Sequence, residues 1–429
     1  MTKKKVNIVW LRRDLRLVHN TALKQAAREK LPVLLLFIFD ENIVNQLPEN
    51  DSRISFIYQQ LERIHLELRS QNRSLLIKKG NPLDIISCLL QEYNVPSIFA
   101  NEDYEPYAIK RDNEISELSI SFNSKLHLFK DQVIFAKSEI VKKDQSPYTV
   151  YTPYKNQWLN NFEVQILDEE YDIKAEYINE NFHFPSLTSL GFKAGRHLVK
   201  DYNLDCLGVY EEQRDYPIKD IGSYIGPHLR FGTVSIRQIA KAASEHSKIF
   251  LNELIWREFF MQIMFHFPHS ITESFKPQYK FIPWHNNEND FKLWCEGKTG
   301  FPMVDAGMRQ LNSTGYMHNR VRMITASFLC KHLLIDWRWG ETYFASKLLD
   351  YELSSNIGNW QWAASTGCDA VPYFRIFNPE LQQKRFDPTF EYIKKWIPEY
   401  GTNQYPKPMV DHKTARERAI STYKTAIIK

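Results

Sequence analysis

In the first part of the chain, short apolar runs alternate with segments of helical period. Val6 to Trp10, Val33 to Phe39, Leu75 to Ile77, Ser97 to Ala100 and Leu126 to Phe129 read as buried strands. Thr21 to Lys30, Ile54 to Leu68 and Pro82 to Tyr93 read as helices between them; the second carries an apolar face of Ile57, Leu61, Ile64 and Leu68. Strand alternating with helix predicts an α/β domain with a doubly wound parallel sheet over residues 1–130. From 131 to 200 the pattern loosens into polar sequence bearing proline and tyrosine, including Ser146 to Tyr154 and an acidic stretch at Asp168 to Tyr171, which predicts an inter-domain connector. Beyond it, apolar residues recur at helical spacing over 234–246, 250–265, 304–311, 320–334 and 341–349, so residues 201–429 are expected to form an all-α domain.

Glycine narrows the chemistry of the first half. Gly80 is the only glycine before Gly191, which excludes a glycine-rich phosphate cradle there. The five cysteines are scattered and never stand as C-x-x-C, which argues against disulfides and structural zinc. With 55 basic and 51 acidic residues the net charge is only +4, so any nucleic-acid affinity must come from a local patch. No run approaches the length of a membrane span, and the start of the chain is unlike a signal peptide; a soluble, cytoplasmic protein is expected. Aromatic residues are abundant, and eight of the ten tryptophans lie between Trp256 and Trp396, so large flat side chains concentrate in the helical half.

The densest string of special residues runs from Val304 to Pro379. Asn319, Arg322 and Met323 share one helical face, and Glu253, Trp256 and Arg257 share another. Such faces are read either as buried polar networks bracing helices or as parts of a ligand site. Asp350, Glu352 and Asn356 precede Trp360 and Trp362, a mixture suited to a planar heteroaromatic ligand that needs hydrogen bonds at its edge and stacking on its face. Spacing alone leaves core packing open as the alternative role of both tryptophans.

VWLRRDLRL at 9–17, PYTVYTPY in the connector, NELIWREFF, MHNRVRM, WQWAASTG and PYFRIFNP together resemble class I photolyases of the photolyase/cryptochrome family across nearly the whole chain. The resemblance implies an α/β domain joined by a long connector to a helical domain that holds FAD non-covalently, reduced and anionic in its working state. Asp220 to Pro227 resembles the segment holding the FAD phosphates, with Gly222, Ser223, Tyr224, Ile225 and Gly226 as its expected contacts. Gly222 and Gly226 depart from the hydroxyl residues common there, and backbone N–H groups are expected to take their place. Tyr210, Phe250, Glu253, Arg257, Asn319, Arg322, Asp350 and Glu352 fall at other FAD positions; Phe250 stands where tryptophan is frequent and Glu352 where aspartate is usual. Asn356 matches the residue beside the reactive flavin nitrogen, where asparagine resembles the repair enzymes and aspartate the plant cryptochromes.

The implied activity is light-driven splitting of cyclobutane pyrimidine dimers in DNA by electron transfer from excited reduced FAD. Glu253, Trp256, Asn319, Met323 and Trp362 match the dimer pocket. Arg320 and Arg375 resemble phosphate-facing residues at its mouth, with Lys384 and Arg385 nearby as further candidates. A single histidine, His318, stands where six-four photolyases carry a pair. Trp360, Trp337 and Trp284 match the tryptophan chain that photoreduces oxidised FAD. The expected partner is dimer-containing DNA, single or double stranded, bound by a monomer, with no metal. An antenna pigment of folate or deazaflavin type remains open beside Asn101 to Glu105. The rival readings are a cryptochrome-type photoreceptor and, more distantly, a nucleotide-binding structural protein.

Overall fold

The computed structural model describes residues 3–162 and 174–428. Five parallel strands, β1 (Asn7–Leu11), β2 (Val33–Asp40), β3 (Leu76–Gly80), β4 (Ser97–Asn101) and β5 (Lys125–Phe129), lie in the order β3-β2-β1-β4-β5. β1 and β2 are buried along their whole length because both faces of the sheet are covered. Val9, Leu11, Leu35 and Phe37 face one core together with Leu23, Ile54 and Leu61. The alternate residues Ile8, Trp10, Leu34 and Leu36 face the other, against Ile86, Leu89 and Ile115. Strand order reverses beside β1, as in doubly wound folds.

The five strands agree with the expected runs to within a few residues. The sequence reading named no helix for Pro106–Ser121, which starts with proline at its first turn and supplies Ile115 to the core.

The chain divides into two compact units that interleave along the sequence. One comprises Met1–Glu139, Asn161–Tyr202 and Tyr224–Glu245; the other comprises Ile140–Asn160, Asn203–Ser223 and His246–Lys429. Boundaries were expected at 130 and 200; the units divide after 139 and 202 and at three further places. Part of the connector is itself regular: Tyr151–Asn161 is a helix whose Tyr151, Tyr154 and Trp158 are buried. Farther on, Tyr177 bridges Val33 in parallel fashion, and Ile178 N–H donates to the Val33 carbonyl at 3.0 Å. The acidic stretch at 168–171 lies outside the described residues.

Among its described residues the regular elements of the second unit are helices, built around Lys248–His266, Pro302–Thr314, Asn319–Ser327, Trp337–Lys347 and Leu353–Ala364. The helix expected over 320–334 ends as an α-helix at Ser327 and continues as one π-turn, Phe328–His332. The helix expected at 341 already starts at Trp337, where the Asp336 side chain accepts from Arg338 N–H and caps it. Two close approaches set the packing. A Cβ on Gly340 would fall inside the ring of Trp360, and one on Gly358 inside the ring of Phe260, so glycine brings Trp337–Lys347 and Lys248–His266 against Leu353–Ala364.

Candidate functional site

Two adjoining clefts open in the helical unit. The first, about 100 Å³, is lined by Asn319, Arg322, Met323, Asp350, Tyr351, Glu352, Ser355, Asn356, Asn359, Trp360 and Trp362 together with small and apolar side chains. The second, about 280 Å³, is lined by Arg214, Glu253, Trp256, Arg257, Phe260, Asn319, Met323, Ser355, Asn359 and Trp362. Asn319, Met323, Ser355, Asn359 and Trp362 belong to both and form a shared wall.

Helix geometry explains who points inward. Asn319, Arg322 and Met323 stand three and four apart on Asn319–Ser327, and Glu253, Trp256 and Arg257 do the same on Lys248–His266. Both faces read from the sequence thus meet the clefts. His318 begins the former helix, its Nδ1 accepting from Arg320 N–H at 3.2 Å. Burial pushes this imidazole down to about 4, which keeps the capping acceptor unprotonated near neutrality.

Charged groups in the clefts are paired. Arg257 donates from Nη2 to Glu352 Oε1 at 2.9 Å, and its Nε lies 2.9 Å from Oε2, a two-point ion pair. Arg322 donates to Asp350 Oδ2 at 2.8 Å and to the Met317 carbonyl at 2.8 Å. Arg214 donates to Glu253 Oε1 at 2.6 Å. The other oxygen of Asp350, Oδ1, is buried without a hydrogen-bond partner. A buried unpaired carboxylate oxygen costs free energy unless a donor reaches it, so the first cleft is suited to a ligand that brings an N–H or O–H.

Asn356 is buried and donates through Nδ2 to Glu341 Oε1 at 2.9 Å and to the Glu341 carbonyl at 3.2 Å. That leaves its Oδ1 as an acceptor on a residue lining the first cleft. Glu341 itself was not singled out from the sequence. It stands four residues after Trp337 on the same helix, and that spacing was the available signal.

Apart from Trp360, the other residues expected in the site line neither cleft. Trp360 and Trp337 are buried in one core, against which Trp284 packs half-buried. The Trp360 ring meets Phe344 at 5.0 Å and Trp294 at 6.1 Å, while Trp284 meets Tyr423 at 5.9 Å. Tyr210 and Phe250 line neither cleft; their rings meet edge-on at 5.1 Å, with Arg214 over Tyr210 at 5.3 Å. Arg320 pairs with Asp215 at 2.7 Å and lies over the Phe386 ring at 4.5 Å. Arg375, Lys384 and Arg385 are exposed. The segment expected at the FAD phosphates is split: Gly222 and Ser223 belong to the helical unit, whereas Tyr224, Ile225 and Gly226 belong to the other. The Ser223 carbonyl accepts from Asn203 N–H at 2.9 Å, and Tyr224 has a left-handed backbone with φ of 50°.

In the α/β unit, Asn101 donates to Asp14 at 2.6 Å and to Asn20 at 2.9 Å, Glu102 pairs with Lys137 at 2.7 Å, and Asp103 and Glu105 pair with Arg13. Among the described residues no group of three or more His, Cys, Asp or Glu could hold a metal ion, and no helix is long and apolar enough to cross a membrane.

A family model described as DNA photolyase matches residues 7–172, and one described as the FAD binding domain of DNA photolyase matches residues 250–404. The chain is 34% identical to the deoxyribodipyrimidine photo-lyase of Vibrio cholerae, across 98% of this chain and 100% of that protein. Among solved structures it is similar to a bacterial class III photolyase from Agrobacterium tumefaciens, with a TM-score of 0.87 and 31% identity over 100% of this chain and 99% of that one. It is also similar to an archaeal photolyase from Sulfolobus tokodaii solved with two FAD molecules, with a TM-score of 0.86 and 32% identity over 98% and 100% of the two chains. One of these neighbours is a class III enzyme, so the likenesses reach the family rather than one class within it. Near-complete coverage by relatives above 30% identity, with both family domains matched in order, shows that the chain belongs to the DNA photolyase family.

Proposed function

We propose that the protein splits cyclobutane pyrimidine dimers in DNA under light, with FAD held by residues that line the first cleft and the dimer in the second. The observation that carries this reading is the shared wall: the two clefts have Asn319, Met323, Ser355, Asn359 and Trp362 in common, so the two ligands are separated by single side chains. The residues of the first cleft fit FAD. Its unpaired Asp350 Oδ1 suits a ligand donor, Arg322 is held by its ion pair with Asp350, and the Oδ1 of Asn356 can accept from a ring N–H without adding charge. When bound, FAD supplies the light-absorbing one-electron reductant that the reaction needs.

The chain's own residues bind and orient. Trp256 and Trp362 offer indole faces to the saturated rings of the dimer, while Glu253 and Asn319 can satisfy its carbonyl and N–H edges. Met323 adapts its flexible thioether to the remaining surface. Arg375, Lys384 and Arg385 are exposed and are taken to meet DNA phosphates, with Arg320, paired to Asp215, as a further guanidinium, so binding should weaken as salt rises. Extruding the dimer from a duplex costs a few kcal/mol of unstacking, least at a damaged step, and single-stranded substrate avoids that cost. Trp360, Trp337 and Trp284 remain the proposed route for light-driven recharging of the cofactor. Each cleft is lined by residues of one compact unit, and the reading takes the protein as a monomer acting on DNA in the cytoplasm.

The test is an absorption spectrum of the purified protein followed by illumination with an oligonucleotide carrying one thymine dimer. A flavin spectrum and light-dependent restoration of the thymines are expected. Flavin without repair would turn the reading towards a photoreceptor, and no flavin would remove it.

A further inference from the structure

A residue of the connector packs against Trp256, which lines the second cleft. The ring of Tyr151, the first residue of helix Tyr151–Asn161, lies parallel to the Trp256 indole with centroids 3.5 Å apart and planes inclined by 9°. Left to themselves, two aromatic rings avoid such full overlap, because their negative faces repel, and settle offset or edge-on. Here other contacts impose the overlap. The Tyr151 hydroxyl donates to the Asn252 carbonyl at 2.9 Å. Asn252 precedes Trp256 by four residues on helix Lys248–His266, so the tyrosine is tied to the helix that carries the indole. Its backbone N–H donates to Asp369 Oδ2 at 3.0 Å, and Phe259 meets its ring at 5.8 Å. Asp369 lies in the loop that follows Leu353–Ala364, the helix carrying Trp362. One residue therefore braces the element behind Trp256 and the loop behind Trp362.

We infer that Tyr151 is a positioning residue for the lesion: stacked under Trp256, it sets the plane and depth of the indole face against which a pyrimidine dimer packs. The inference rests on the proposed function and adds a residue to it. Tyr151 touches neither dimer nor cofactor in this scheme. Its loss should therefore weaken recognition of the lesion and leave the photochemistry of a bound dimer intact.

The experiment compares the parent with Tyr151→Leu and Tyr151→Phe as FAD-loaded full-length proteins. Three quantities are measured: affinity for a single-stranded oligonucleotide with one thymine dimer, affinity for its undamaged twin, and repair yield per absorbed photon at saturating substrate. Tyr151→Leu should bind the damaged strand about three- to tenfold more weakly, bind the undamaged strand as the parent does, and keep its saturated yield. Tyr151→Phe, which retains the ring but loses the hydroxyl tie to Asn252, should fall between the parent and Tyr151→Leu. Unchanged discrimination in Tyr151→Leu, or a Phe variant no better than Leu, overturns the inference. If the Leu variant does not fold, Tyr151→Met, whose flexible thioether adapts to the gap without a ring, carries the same comparison. A parent that neither prefers nor repairs the damaged strand defeats the functional reading itself, whereas a competent parent beside an equally discriminating Leu variant defeats the role of Tyr151 alone.

Discussion

At Asn356 both amide hydrogens are engaged by Glu341, so the group presented to the cleft is the carbonyl oxygen. The sequence identified the asparagine, and only the fold supplied the partner that orients it. Burial raises the Glu341 carboxyl above its ordinary value of 4.5, against hydrogen bonds from Asn356, Tyr351 and Thr342 that lower it. A carboxyl raised in the folded state holds its proton more tightly folded than unfolded. The stability it contributes is complete below 4.5 and is lost as the pH climbs through the raised value. Glu341→Gln removes that titration, so melting curves across this interval should show the parent losing stability relative to the variant as pH rises and then running parallel to it. Curves parallel throughout would show that Glu341 does not titrate this way. Glu253 is the second residue whose partner mattered, since Arg214 holds it at 2.6 Å. Glu253→Ala should leave the flavin spectrum intact and weaken dimer binding by about 1 to 3 kcal/mol, the usual cost of leaving a polar partner unpaired. Titration with damaged oligonucleotide checks this, and equal affinity would remove Glu253 from the pocket.

At the scale of elements, legibility followed periodicity. The runs that became β1 to β5 were legible because a parallel sheet buried on both faces leaves nearly continuous apolar sequence. The helical faces of Glu253 and of Asn319 were legible because three- and four-residue spacing is local. Tyr151–Asn161 was not: a Tyr-Thr-Pro-Tyr start and few aliphatic residues read as loop, and its burial comes from aromatic side chains docking on another helix, with Trp158 Nε1 donating to Glu258 at 2.6 Å. The contact of Trp337–Lys347 with Leu353–Ala364 was equally hidden, because it depends on the absent side chain of Gly340 beneath Trp360. Gly340→Ala should force the Trp360 ring aside and cost about 1 to 3 kcal/mol, as overpacking of a dense core does. Thermal melts and tryptophan emission read both effects, and an unchanged melting temperature would mean that the two helices separate freely.

For the whole molecule, interleaving of the two units has a consequence for dissection. Residues 140–160 belong with the helical unit, so a fragment starting at 201 lacks the buried Tyr151, Tyr154 and Trp158 and exposes the face around Phe259. At about 1.5 to 3 kcal/mol for each large side chain fully buried, that loss rivals the net stability of a domain. A fragment of 140–429 should melt cooperatively at a clearly higher temperature than one of 201–429. Equal melting curves would return the boundary to 200. The sequence by itself determined the class of each half and the order of the strands along the chain, and it singled out the two helical faces that line the clefts, because those follow from local period and residue type. Tertiary structure alone decided that Glu341 orients Asn356, that Arg214 holds Glu253, that two clefts share one wall, and that a connector tyrosine lies under Trp256. Each of the four joins side chains that lie apart in the chain, and a spacing rule reaches no farther than the element in which it operates.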